Sequence, residues 1–210
     1  MSEDRHDFTT LDSTVVYSGA ILALRLDQVA MPNGRRAERE VIEHHGAVGI
    51  LAVDDQDRVA MIEQYRHPVV RRLWELPAGL LDEPGEEPVL AAQRELAEET
   101  GLAAGTWSVL VDVMASPGFT DEAVRIFLAQ DLTRVDRPEA HDEEADIRLS
   151  FVPMDEAVRR ALAGEIVNAS AVSGILALAA ARAAGTELRP ADAPWTGVPT
   201  AFEKRKSSRK

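Results

Sequence analysis

The chain has 210 residues, 45% of them hydrophobic, enough for one full core with a small appended unit. Its formal charge of -13 disfavours a broad nucleic-acid-binding face, and the lack of cysteine excludes disulfides and thiolate metal sites. The start, MSEDRHDFTT, is too polar and acidic for a signal peptide, and the most apolar stretch, 169–184, holds Ser170, Ser173 and Arg182 and is too short to span a bilayer. A soluble, cytoplasmic protein without a membrane or nucleic-acid partner is expected. Aromatics are scarce, so the core should be built from Ala, Val and Leu.

In chain order, Thr14–Tyr17, Ala20–Ala30 and Arg36–Glu43 read as strands, with Pro32-Asn33-Gly34 as the turn between the last two. This N-terminal part has few apolar residues for its length and needs a partner surface. Gly46 begins a different texture. Ala47–Val53 is a continuous apolar run, Asp54–Asp57 a turn, and Arg58–Tyr65 its expected hairpin partner. Leu73–Leu76 is a short strand. Glu86–Thr100 reads as a helix closed by Gly101, and Thr106–Met114, Val124–Ala129 and Ile147–Pro153 as further strands. Asp155–Ala163, with Asp155 as N-cap, and Asn168–Ala183 read as helices, and the basic end Glu203–Lys210 as disordered. The domains are therefore expected as 1–45, 46–188 and a tail over 189–210. Strands interrupted by one internal helix, with two more helices at the end, predict a mixed α/β/α sandwich of the α+β kind.

The helix over 86–100 carries the chemistry. Glu95 and Glu99 stand one turn apart, and Glu98 is three residues from Glu95 and four from Arg94. Like charges at this spacing destabilise a helix by roughly 0.2–0.5 kcal/mol per pair. Two stacked carboxylates bordering a buried face therefore call for a cation, and Mg²⁺ takes such oxygen ligands together with water and substrate phosphates. A solvated acidic face with an ordinary Arg94–Glu98 pair is the bland alternative.

The flanks decide between them. Gly79, Glu86 and Arg94-Glu95-Leu96-Ala97-Glu98-Glu99-Thr100-Gly101-Leu102 resemble the Nudix box, Gly-x5-Glu-x7-Arg-Glu-U-x-Glu-Glu-x-Gly-U, where U is apolar. One departure is present: six residues, not five, separate Gly79 from Glu86, within the loop Asp82-Glu83-Pro84-Gly85 where length is tolerated. The resemblance implies a Nudix-type sandwich with a mixed sheet, plus a small N-terminal antiparallel β unit. It implies hydrolysis of a nucleoside diphosphate linked to another moiety. It assigns Glu95, Glu99, Glu98 and the Ala78 carbonyl to the metal, and Glu86 and Arg94 to bracing loop and helix. On the order of two or three Mg²⁺ ions per site are implied, with Mn²⁺ as a substitute.

Segments outside the box point to a subfamily. Ser116-Pro117-Gly118-Phe119-Thr120-Asp121-Glu122, with Pro117 fifteen residues after Leu102, resembles the ADP-ribose pyrophosphatases, as do Glu63-Gln64-Tyr65-Arg66 and Leu73-Trp74-Glu75-Leu76-Pro77-Ala78-Gly79. By that resemblance Arg66 contacts substrate phosphate, a role suited to a guanidinium. Leu80, Ser116, Pro117, Gly118 and Glu122 join it as substrate-binding residues, while Trp74 reads as core packing or a subunit contact rather than a substrate-stacking residue. The resemblance further implies a homodimer with exchanged N-terminal strands, in which Arg39 and Glu40 reach the partner's substrate.

By the same resemblance the base comes from an acidic loop after the box, here His141-Asp142-Glu143-Glu144-Ala145-Asp146, with Glu144 expected first and Glu143 second. The expected reaction is hydrolysis of ADP-ribose to AMP and ribose 5-phosphate. The alternatives are hydrolysis of other nucleoside diphosphate sugars such as GDP-mannose and, from another class, non-catalytic ADP-ribose binding.

Overall fold

The computed structural model describes residues 7–137 and 146–207. Two compact units emerge: residues 47–113 with 124–196, and residues up to 46 with 114–123 and those from 197 onward.

The larger unit is organised around β4 (Ala47–Ala52), all six of whose residues are buried. A strand so apolar on both faces belongs in the middle of a sheet covered on both sides. It pairs in parallel with β9 (Ala123–Arg134) and antiparallel with β7 (Ala78–Leu80), in a five-stranded mixed sheet of order β11-β8-β9-β4-β7. Here β8 is Leu102–Met114 and β11 is Arg189–Pro190. A second, antiparallel sheet has the order β10-β5-β6, from Arg148–Pro153, Arg58–Arg66 and Arg71–Glu75. The expected hairpin of β4 with β5 is thus not formed: the strands go to different sheets and meet only at a Val53–Val59 bridge.

Period-2 alternation along β4 divides the core. Ala47 and Leu51 face a cluster with Met154 and Ala157 of α2 (Met154–Leu162) and Ala171, Ile175 and Leu178 of α3 (Ala169–Ala184). Val48, Ile50 and Ala52 face a second cluster with Ala91, Ala92 and Leu96 of α1 (Pro88–Thr100). Burying Leu96 contributes about 1.5–3 kcal/mol. Helices therefore cover both faces of the sheet strands, as the sandwich requires.

The helix ends follow local chemistry. α1 starts at Pro88 rather than Glu86, because the residue before a proline is driven out of the helical region, and Glu87 sits at φ -68°, ψ 141° as N-cap. It ends at Gly101, whose φ of 67° suits glycine and whose N–H donates to the Ala97 carbonyl. Asn168 caps α3 by accepting from the Ala171 N–H at 3.0 Å, worth about 1 kcal/mol. α2 instead has Pro153 as N-cap, so Asp155 lies in its first turn and not at the cap.

In the smaller unit, β1 (Thr10–Ser18), β2 (Leu22–Ala30) and β3 (Arg36–His44) form an antiparallel sheet. Of the basic end expected to be disordered, residues 203–207 belong to a helix, α4 (Ala201–Ser207), and 208–210 lie outside the described residues. Phe202 of α4 is fully buried with the His45 ring edge-on to it at 4.8 Å, an apolar anchor that a reading of the basic residues alone overlooks. Among the described residues no helix is long and apolar enough to cross a membrane.

Candidate active site

The short strand β7 brings the loop to the helix. Val48 pairs with Gly79 and Gly49 with Ala78, and the Ile50 N–H donates to the Pro77 carbonyl at 2.8 Å. This three-residue strand was not foreseen, since its backbone pairing leaves no pattern in so short a run. Glu99, 6% exposed, accepts from the Ala78 N–H at 2.9 Å and ties the last turn of α1 to β7. At Gly79 the backbone lies so close to Glu95 that a Cβ there would overlap Glu95 Cγ, Cδ and Oε1. The glycine is therefore needed for close approach, so that the Glu95 carboxylate can lie against the loop backbone.

Arg94 gathers the other carboxylates. Its Nε and Nη2 donate to the two Glu86 oxygens at 3.2 and 3.0 Å, and its Nη1 to Glu95 at 2.5 Å and to Glu98 at 3.1 Å. The Glu86 hydrogen bonds, and after them the charge of Glu95, raise the guanidinium pKa well above its ordinary value, against the opposing effect of burial. One cation facing three carboxylates leaves the cluster negative. Glu86, which follows the loop with the extra residue, is thus joined to Arg94 by two hydrogen bonds.

The donor set fits a hard divalent cation. Glu95, Glu98, Glu99 and the Ala78 carbonyl offer oxygen only, and the Gly79 cradle holds one carboxylate against the loop. Among the described residues no group of three or more His, Cys, Asp or Glu side chains is already placed to hold a metal ion, so the fit is one of donor type.

Arg66 ends β5 and is held by Glu75 through Nε at 3.0 Å and Nη2 at 2.7 Å. Glu75 is 2% exposed, and this burial ahead of Pro77 sets it apart as a residue that sequence reasoning left without a role. Leu80 is part-buried against the core, which points its side chain into packing. Trp74 also packs on that core, with the Arg160 guanidinium 4.7 Å from its ring. Arg72 pairs with Asp146, where the described chain resumes. Glu143 and Glu144 lie outside the described residues.

The remaining candidates belong to the smaller unit. Ser116, Pro117 and Gly118 form a turn, with the Phe119 and Thr120 N–H groups donating to the Ser116 carbonyl at 3.1 Å. The loop is stitched to β3: the Ile42 N–H donates to Phe119 at 2.7 Å, and Asp121 accepts from the His44 N–H at 2.9 Å. The Glu122 N–H donates to Thr120 Oγ1 at 3.1 Å. Arg39 and Glu40 are exposed on β3, Arg39 donating to the Glu38 carbonyl at 2.9 Å.

Comparison with known proteins agrees with this geometry. A family profile described as "NUDIX domain" matches residues 43–171, and one described as "Nucleoside diphosphate sugar hydrolase N-terminal domain" matches residues 8–42. An ADP-ribose pyrophosphatase of Mycobacterium tuberculosis is 54% identical over 204 residues, covering 97% of this chain and 99% of its own. An ADP-ribose pyrophosphatase of Bacillus subtilis is 36% identical over 166 residues, covering 79% of this chain and 89% of its own. A solved structure described as "Crystal structure of ADP compounds hydrolase" superposes with a TM-score of 0.76 over 89% of this chain and 100% of that one, a likeness of fold at 24% identity. With the box laid across β7 and α1 and a matching profile over most of the chain, this protein belongs to the Nudix hydrolase family.

Proposed function

We propose that this protein is a Mg²⁺-dependent pyrophosphohydrolase that cleaves the diphosphate of ADP-ribose, with water, to AMP and ribose 5-phosphate. The observation that carries the reading is the carboxylate set of α1, docked on the Ala78–Gly79 segment by Glu99 and the Gly79 cradle. The names of the Mycobacterium and Bacillus relatives support ADP-ribose as the substrate.

In this reading Glu95, Glu99, Glu98 and the Ala78 carbonyl would hold about two or three Mg²⁺ ions, with Mn²⁺ as a substitute. When bound, the metal supplies Lewis-acid neutralisation of the diphosphate charge, which this acidic site otherwise repels. Arg94 orients Glu95 and Glu98 and keeps Glu86 against the helix. Arg66 pairs with substrate phosphate, and Ser116, Pro117, Gly118 and Glu122 shape the nucleotide-sugar end, with Leu80 lending backbone. Glu144, or Glu143 in its place, takes the proton of the attacking water.

A homodimer completes the reading, Arg39 and Glu40 facing the partner's substrate. Its support is β1, whose Leu11, Val15, Val16 and Tyr17 are exposed apolar residues on one strand. A cytoplasmic location is part of the same proposal.

An assay across ADP-ribose, GDP-mannose and NADH with Mg²⁺ and product identification tests the substrate. ADP-ribose is expected to give the highest kcat/KM, with AMP and ribose 5-phosphate as products. Turnover of GDP-mannose but not ADP-ribose would replace the substrate, and ADP-ribose binding with no hydrolysis would replace the enzyme with a binder. A second expectation concerns the cradle. Gly79→Ala must push the Glu95 carboxylate away from the loop, and a misplacement of about 1 Å costs roughly a hundredfold in kcat/KM. Wild-type turnover in Gly79→Ala would dissociate the cradle from the chemistry.

A further inference from the structure

We infer that Glu75 is a positioning residue for substrate binding, acting by fixing the guanidinium plane of Arg66. This rests on Arg66 as a phosphate contact. In the β5–β6 register Glu75 stands opposite Ile62, so Ile62, Gln64 and Arg66 share its face of the sheet. Arg66 is four residues further along, about 13 Å of strand. Its side chain therefore runs back over Gln64 instead of extending off the strand end, and Glu75 takes it in a two-point grip at 3.0 and 2.7 Å. Gln64 Nε2 donates to the same carboxylate at 3.4 Å.

The exposures separate anchor from working end. The Glu75 side chain is 2% exposed and that of Arg66 41%. A buried carboxylate holds the guanidinium while about two fifths of the Arg66 side chain stays exposed. The placement also relates Arg66 to the box. Glu75 precedes Ala78 by three residues, so their Cα atoms lie within about 11 Å. An arginine ordered before the ligand arrives loses less rotamer freedom on binding, which raises affinity without touching the reacting atoms.

Kinetics of the full-length protein with ADP-ribose at saturating Mg²⁺ test this. Glu75→Gln is expected to raise KM about tenfold with kcat within about threefold, the signature of lost uniform binding. In an Arg66→Ala background the same substitution should add nothing to KM. An unchanged KM in Glu75→Gln, or an equal further rise on top of Arg66→Ala, overturns the role of Glu75. An unchanged KM in Arg66→Ala itself overturns the phosphate contact, a different failure. Should Glu75→Gln not fold, Arg66→Lys keeps the charge but cannot be gripped at two points. It is expected to show the same rise in KM, and a wild-type KM there rejects the proposal.

Discussion

Glu95→Gln is expected to lower kcat by about a hundredfold to a thousandfold while leaving the thermal midpoint within a few degrees of wild type. The two halves of this expectation have separate causes. Glu95 lies against Gly79 and accepts from Arg94 at 2.5 Å, and the proposed chemistry needs its charge at that place. Glutamine keeps the shape and loses the charge. Stability is spared because Arg94 retains its two bonds to Glu86 and one to Glu98, and because the like-charge pair with Glu99 is relieved. A protein that gives up this repulsion gains a few tenths of a kcal/mol and loses its reaction, a trade often seen at working sites. Steady-state kinetics at saturating Mg²⁺ with a melting curve on the same sample check both halves. Near-normal turnover in a folded Glu95→Gln variant would remove Glu95 from the site.

The arrangement of the charged residues of α1 is legible in the sequence because it is local. Helical spacing fixes where Arg94, Glu95, Glu98 and Glu99 stand relative to each other, and the structure keeps that arrangement. The strands were legible for a related reason: apolar runs such as Ala47–Ala52 record their burial in composition. Partner choice was not, because it depends on contacts distant in sequence. Nothing in Ala47–Val53 and Arg58–Tyr65 tells that the first pairs in parallel with β9 and the second joins β10 and β6. The Gly79 cradle was visible as a motif position, but its cause, the overlap a Cβ would make with Glu95, needed three dimensions. Glu75 leaves no signal of its role in the sequence, since a carboxylate in a strand does not announce that it is buried. The C-terminal residues mislead by charge: a basic run reads as disordered, although its Arg205 finds the buried Glu43 carboxylate.

That pairing carries the second large effect. Arg205→Met is expected to cost about 3 kcal/mol in the smaller unit, because it strips a partner from Glu43, whose side chain is 2% exposed. Arg205 holds both Glu43 oxygens at 2.6 Å, and Arg25 holds one of them at 2.6 Å while its Nε bridges to Asp27 at 3.0 Å. The remaining Arg25 pair keeps the cost at the low end of what breaking a buried ion pair incurs. Hydrogen bonds from Arg205 first, and from Arg25 after, lower the Glu43 pKa below its ordinary value despite burial. The sign of the pH dependence follows. A carboxylate whose folded pKa is depressed contributes fully above its unfolded value, near 4.3, and loses that contribution as pH falls through the folded one. Arg205→Met should therefore unfold β1–β3 at a higher pH on acidification than wild type, and the stability gap between the two should narrow at low pH. Amide hydrogen exchange over Leu22–Ala30 and Arg36–His44 reports the loss within this unit, where a single melting midpoint for both units would not. Equal protection of these strands in Arg205→Met and wild type near neutral pH would show that α4 contributes nothing to holding the sheet.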